Sequence, residues 1–146
     1  MPAPGWSAPA KRSSMPEATA PVTGWYSYAI IRVVPRVERG EMVNVGVVLF
    51  ARTMGFLEAR VELPRQRLKA IAPTLDLPAV ERHLAAFQAV AAGDPSAGPV
   101  AALPPSERFH WLTAPRSTII QTSPVHVGHC ADPAAALGYL MDCIVR

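Results

Sequence analysis

Arg32, Arg36, Glu41 and Asn44 crowd into the stretch "RVVPRVERGEMVNVGVVLF", whose other residues read largely as buried strand. A guanidinium presents a fork of N–H donors that fits a carboxylate or a phosphate, and a carboxamide beside it can both donate and accept. Glu41 could answer Arg32 or Arg36, but one carboxylate alone does not make a general acid–base pair. Asparagine and glycine are poor strand formers by up to ~1 kcal/mol each, so Asn44 and Gly46 inside a valine-rich run mark a site or a tight packing contact. Farther along, "TAPRST" places Arg116 in a turn with two hydroxyls following. Such a turn either holds an anion through backbone N–H groups and the guanidinium together, or is a capped connection between strands.

Other residues with chemistry carry less. "HVGHC" at 126–130 offers two imidazoles and a thiol, which suit zinc by type. Three ligands so close together form a cramped site without a recognised spacing, so neither metal nor cofactor is expected. His83 flanks the apolar stripe of a helix, and His110 alternates with Phe109 and Trp111 on an expected strand. Neither stands near a paired carboxylate, and the chain has no Gly-rich phosphate loop and no nucleophile elbow. Two cysteines, Cys130 and Cys143, make no disulfide framework and are expected to be reduced.

The elements that must position these residues follow from hydrophobic periodicity. Tyr26–Val34 and Met42–Phe50 read as strands, and "FLEARVEL" alternates strictly, with Leu57, Ala59, Val61 and Leu63 on one side. Three strands joined by short loops make an antiparallel meander. "RQRLKAIA" reads as a short helix, and Asp76–Ala92 as a longer one with Asp76 as cap and Gly93 as stop. After a proline-stiffened loop, "ERFHWLT" and "STIIQTS" read as strands and "VHVGH" as an extended piece. Asp132 and Pro133 then open a last helix with Leu137, Leu140, Met141 and Ile144 as its buried stripe. The fold class is therefore α+β: an antiparallel sheet with an N-terminal three-stranded meander, helices packed on one face, and a C-terminal helix.

In an antiparallel pair, residues opposite one another share a face, so a parity argument sets the hairpin register. An odd sum of residue numbers would put Arg32 among the valines, where an unpaired guanidinium costs several kcal/mol or more. The even register places Arg32 opposite Asn44 and Ile30 opposite Gly46, with Gly46 leaving an open place beside the carboxamide. Ile31 and Val33 then share the apolar face with Val43, Val45, Val47 and Leu49.

Composition bounds the rest. The 146 residues allow one domain with a tail: a disordered Pro/Ala/Ser-rich segment over 1–24 and a single domain over 25–146. No apolar run reaches the roughly 18–20 residues of a membrane span, and no secretory pattern opens the chain, so the expected location is cytoplasmic. The net charge of +3 concentrates in residues 32–69, which carry eight basic and four acidic side chains. Any anion-binding surface is expected there. Twelve arginines against two lysines accompany abundant alanine and proline, which reads as the codon bias of a GC-rich genome.

Three separated segments, "YSYAIIRVVPRVERGEMVNVGVVLF", "FHWLTAPRSTIIQTSPVHVG" and "DPAAALGYLMDCIV", together resemble the bacterial domain-of-unknown-function family numbered 3037. The resemblance spans about Tyr26–Val145. Arg32, Pro35, Glu41, Asn44, Gly46 and Arg116 match its pattern, and it supplies a catalytic role for none of them. It implies a small bacterial protein, and the family is associated with gene neighbourhoods encoding HipA-type kinases, so a HipA-type kinase-like protein encoded nearby is the expected partner. The expected function is a non-enzymatic binding or protein-interaction module with a polar patch of Arg32, Arg36, Glu41, Asn44, Gly46 and Arg116. A phosphate-substrate enzyme or nucleotide-binding protein is the alternative, and nucleic-acid binding a third reading.

Overall fold

The computed structural model of the chain describes residues 23–116 and 118–146. Most of the segment expected to be a disordered tail, residues 1–22, lies outside the described residues. Strands β1 (Gly24–Val33), β2 (Val43–Ala51) and β3 (Phe56–Val61) form the antiparallel meander. Each connection is a single 3-10 turn closed by a glycine in the left-handed region, Gly40 at φ 71° and Gly55 at φ 62°, which a side chain would resist. Helices α1 (Arg65–Ile71) and α2 (Leu77–Ala92) follow. Asp76 caps α2 by accepting the Ala79 amide at 3.1 Å, and Gly93 ends it at φ 73°.

Pro105–Leu112 is a helix, α3, rather than the strand expected for "ERFHWLT". Pro105 stands at its start, and Phe109 and Leu112 are its buried pair at a three-residue step. The chain then returns to the sheet as β4 (Ile120–Thr122) and β5 (His126–Cys130) and closes with α4 (Pro133–Ile144), capped by Asp132.

β4 and β5 lie on one side of β1, pairing with Ile31–Val33 and Gly24–Tyr28 respectively, while β2 takes the other side. Pro124 interrupts this edge, since proline has no N–H to give the ladder. Ser123 repairs the gap. Its amide donates to the Ile30 carbonyl at 2.9 Å, and its hydroxyl oxygen accepts the Ile30 amide at 2.9 Å.

Both faces of the sheet are covered. Ala29, Ile31, Val33, Val43 and Val48 pack under α2 and α3, where Leu84, Phe87, Phe109 and Leu112 close the core. Tyr26, Val47, Leu49 and Ala51 pack under Ala136, Leu137, Leu140 and Met141 of α4. The expectation of helices on one face thus holds for α2 and α3, while the C-terminal helix covers the other. Among the described residues no helix is long and apolar enough to cross a membrane.

Candidate functional site

The hairpin register changes part-way along. Arg32 lies opposite Asn44 and Val33 opposite Val43, but Ile31 lies opposite Gly46. Val45 is the extra residue of a β-bulge. Arg32 and Asn44 therefore share the α4 face, as parity requires. Beyond the bulge the expected pairing fails. Ile30 meets Val47 instead of Gly46, and Val47 and Leu49 turn to the α4 face while Val48 turns to the other.

Gly46 does not open space beside Asn44. A Cβ there would stand 2.3 Å from the Arg60 carbonyl oxygen and 3.2 Å from the Val61 Cα. The glycine instead lets β3 approach a bulged β2 closely, which is its packing role.

Arg32 also lies opposite Gln121 of β4. Asn44, Arg32 and Gln121 thus form a polar row across three adjacent strands on one face. The end of α4 borders this row, where the Asn44 carboxamide donates to the Ile144 carbonyl at 3.4 Å. Gln121 donates to the Thr118 carbonyl at 2.9 Å. Arg32 differs from both neighbours. Its side chain makes no hydrogen bond or ion pair with another described residue, and its Nε is buried without a partner. Arg108 has an unpartnered Nε too, but its terminal nitrogens reach the Leu103 and Ala91 carbonyls at 2.7 and 3.5 Å.

Glu41 answers neither Arg32 nor Arg36. It pairs with Arg39 at 2.8 Å, within the loop that Gly40 turns. Both side chains are exposed, so the pair contributes about 0.2–1 kcal/mol. Arg36, Arg39 and Glu41 border a shallow cleft of about 190 Å³ against Pro73 and Thr74.

Arg116 sits on the other side of the sheet. Its Nη1 and Nη2 donate to the carbonyls of Leu112 and Trp111 at 3.1 and 2.5 Å, and its Cζ lies 4.5 Å from the Trp111 ring centroid. The cation thereby closes the C-terminal end of α3 and stacks on an aromatic face. Burial lowers its pKa from the usual arginine value. Arg116 borders a groove with His83, Phe87 and Ile120. Ile120 pairs with Val33 and belongs to the α2 core, so this groove faces away from Arg32.

The six residues of the expected patch therefore separate. Arg32 and Asn44 stand together, Arg36 and Glu41 flank the hairpin loop, Gly46 packs, and Arg116 opens elsewhere. Gln121 joins Arg32 without having been expected. The strand pattern of "STIIQTS" was visible, but no short turn ties it to β1 and sets its register.

The two histidines of "HVGHC" diverge because three steps along a strand reverse the face. His126 lies beside Tyr28, with ring centroids 5.3 Å apart, and His129 meets Trp25 edge-on at 4.8 Å. Among the described residues no group of three His, Cys, Asp or Glu side chains is placed to hold a metal. His110 is exposed on α3 instead of lying on a strand. In the basic front half, Arg60 pairs with Glu58 at 2.8 Å and Arg65 with Glu81 at 2.5 Å, which interrupts any continuous positive stripe.

Residues 28–145 match a family described as protein of unknown function (DUF3037). No curated protein and no solved structure matches the chain.

Proposed function

The chain belongs to the DUF3037 family, and we propose that it is a non-enzymatic protein-interaction module that receives a partner's carboxylate at the Asn44–Arg32–Gln121 row. The observation behind this reading is the guanidinium of Arg32, whose Nε is buried without a hydrogen-bond partner and which pairs with no carboxylate among the described residues. A buried polar group left without a partner costs about 1–3 kcal/mol, more when charged. An aspartate or glutamate from a second protein offsets part of that cost, because its two oxygens fit the two terminal nitrogens of the guanidinium at once. Asn44 and Gln121 flank the guanidinium with amide groups that can orient the incoming side chain. The alternatives lack a comparable observation, since Glu41 is tied to Arg39 and two arginines of the front half are paired.

The proposed setting is the bacterial cytoplasm, with a HipA-type kinase-like protein as the first partner to test; the family resemblance supports the bacterial origin and the partner, and the sequence pattern of the chain supports the cytoplasm. The experiment is capture of partners by the tagged protein, comparing wild type, Arg32→Met, and Arg67→Ala on the exposed surface of α1 as a control. A protein retained by wild type and Arg67→Ala but lost from Arg32→Met supports the reading. An identical set of captured proteins from all three overturns it.

A further inference from the structure

We propose a second ligand site, for a small apolar carboxylic acid in its anionic form, in the groove that α2 and α3 form with Arg116, Thr118 and Ile120. The groove lies on the face of the sheet opposite the Arg32 row and does not depend on the function proposed there. Its floor is apolar, made by Phe87 and Val90 of α2 and by Ile120. Trp111 forms one wall and keeps 43% of its surface exposed, a large apolar area left in water. Arg116 and His83 supply the polar groups of the lining, with the Thr118 hydroxyl turned to the Ile120 carbonyl at 2.7 Å. Among the described residues no carboxylate lines it.

The ligand class follows from this combination. An apolar floor beside a guanidinium that no described acid neutralises is complementary to a molecule with an apolar body and one anionic end. A bare phosphate would leave the floor unused, and a neutral hydrocarbon would leave the guanidinium unused. The volume, about 230 Å³, lies below the roughly 300–1,000 Å³ of sites for drug-sized molecules, which selects an aryl or short branched acid. Arg116 is already held in place. Two of its N–H groups bind carbonyls of α3 and its plane is fixed near the indole, so little ordering remains to be done on binding. Its other N–H groups, of the five a guanidinium carries, serve the ligand (roughly one fork's worth).

The test is a nuclear magnetic resonance titration of the full chain with 3-phenylpropionate and, as a neutral match, 3-phenylpropanamide. The expected result is saturable shifts at Phe87, Val90, Trp111 and Ile120, with a Kd on the order of 1 mM for the acid and about tenfold weaker binding of the amide. Arg116→Gln abolishes the preference for the acid. Because Arg116 also closes α3, Ala86→Trp serves as the second variant: it starts from an exposed residue of the groove's rim and fills the space while leaving the guanidinium intact. Loss of acid binding in Ala86→Trp with an unchanged melting temperature supports the site. Absence of saturable shifts, equal binding of acid and amide, or unchanged binding in Ala86→Trp overturns it.

Discussion

Arg32 and Asn44 face each other across β1 and β2 at the last pair before the bulge at Val45 shifts the register. That position decides what surrounds them. On the loop side, alternation keeps both on the α4 face. On the other side, the extra residue brings Val47 and Leu49 to that same face, where they meet the helix. One face of one hairpin thus changes from polar to apolar within a few residues, and the polar end is left to the edge of α4, with Asn44 touching Ile144.

The unanswered state of Arg32 has a consequence for stability. Replacing a guanidinium that no described residue pairs by an apolar chain of similar length removes the unmet Nε donor, so Arg32→Met should unfold in urea within about 1 kcal/mol of wild type, or later. A loss of several kcal/mol would mean that the guanidinium holds the fold together.

Gly46 is a packing glycine. Adding a methyl group 2.3 Å from a backbone oxygen forces β3 away from β2, so Gly46→Ala should cost about 1–3 kcal/mol in chemical denaturation. Gly40→Ala is the informative comparison, because nothing lies within 4 Å of a Cβ there and only the left-handed φ of 71° opposes it. It should cost about 1 kcal/mol.

The repair of the sheet edge by Ser123 is equally accessible. Ser123→Ala keeps the shape but strips the Ile30 amide of its acceptor, for an expected loss of about 1–3 kcal/mol in the same assay. Ser123→Thr, which restores a hydroxyl, should recover part of it.

What the sequence could disclose follows the range of the forces involved. The meander, α2 and α4 were legible because their signals are local: alternation in "FLEARVEL", and Asp76 and Asp132 as caps that the structure uses as such. The α3 segment was misread because Phe109 and Trp111 alternate like a strand. The prolines before it and the three-residue step from Phe109 to Leu112 carried the better signal. The facing of Arg32 and Asn44 was legible from the cost of burying charge. The bulge was hinted at by a lone glycine inside a strand, but its direction depends on how closely β3 approaches, which is tertiary. Gln121 and the Arg116 groove depend on long-range register and on helix placement, and no local pattern encodes either.

Alkaline pH should weaken the α4 core. Burial, and next the charge of Asp132, raise the Cys130 pKa above its ordinary 9.0. Burial, and then Cys130 and neighbouring tyrosines, raise that of Tyr26 above 10.0. Unfolded chains lose these protons first, so stability is fully present below pH 9.0 and declines as pH rises through the folded values. Denaturant midpoints should hold up to pH 9.0 and fall above it, less steeply in Cys130→Ala. At neutral pH a thiol reagent should label the exposed Cys143 of the native protein and reach Cys130 after unfolding.

The affinity of the captured partner for wild type and for Arg32→Met, measured by titration calorimetry alongside both melting temperatures, tests the central claim most directly. Breaking a charge pair that closes on binding costs about 2–5 kcal/mol, so the substitution should weaken binding about thirtyfold or more while the melting temperature holds. Equal affinities for the two proteins would contradict the claim that this guanidinium waits for a partner's carboxylate.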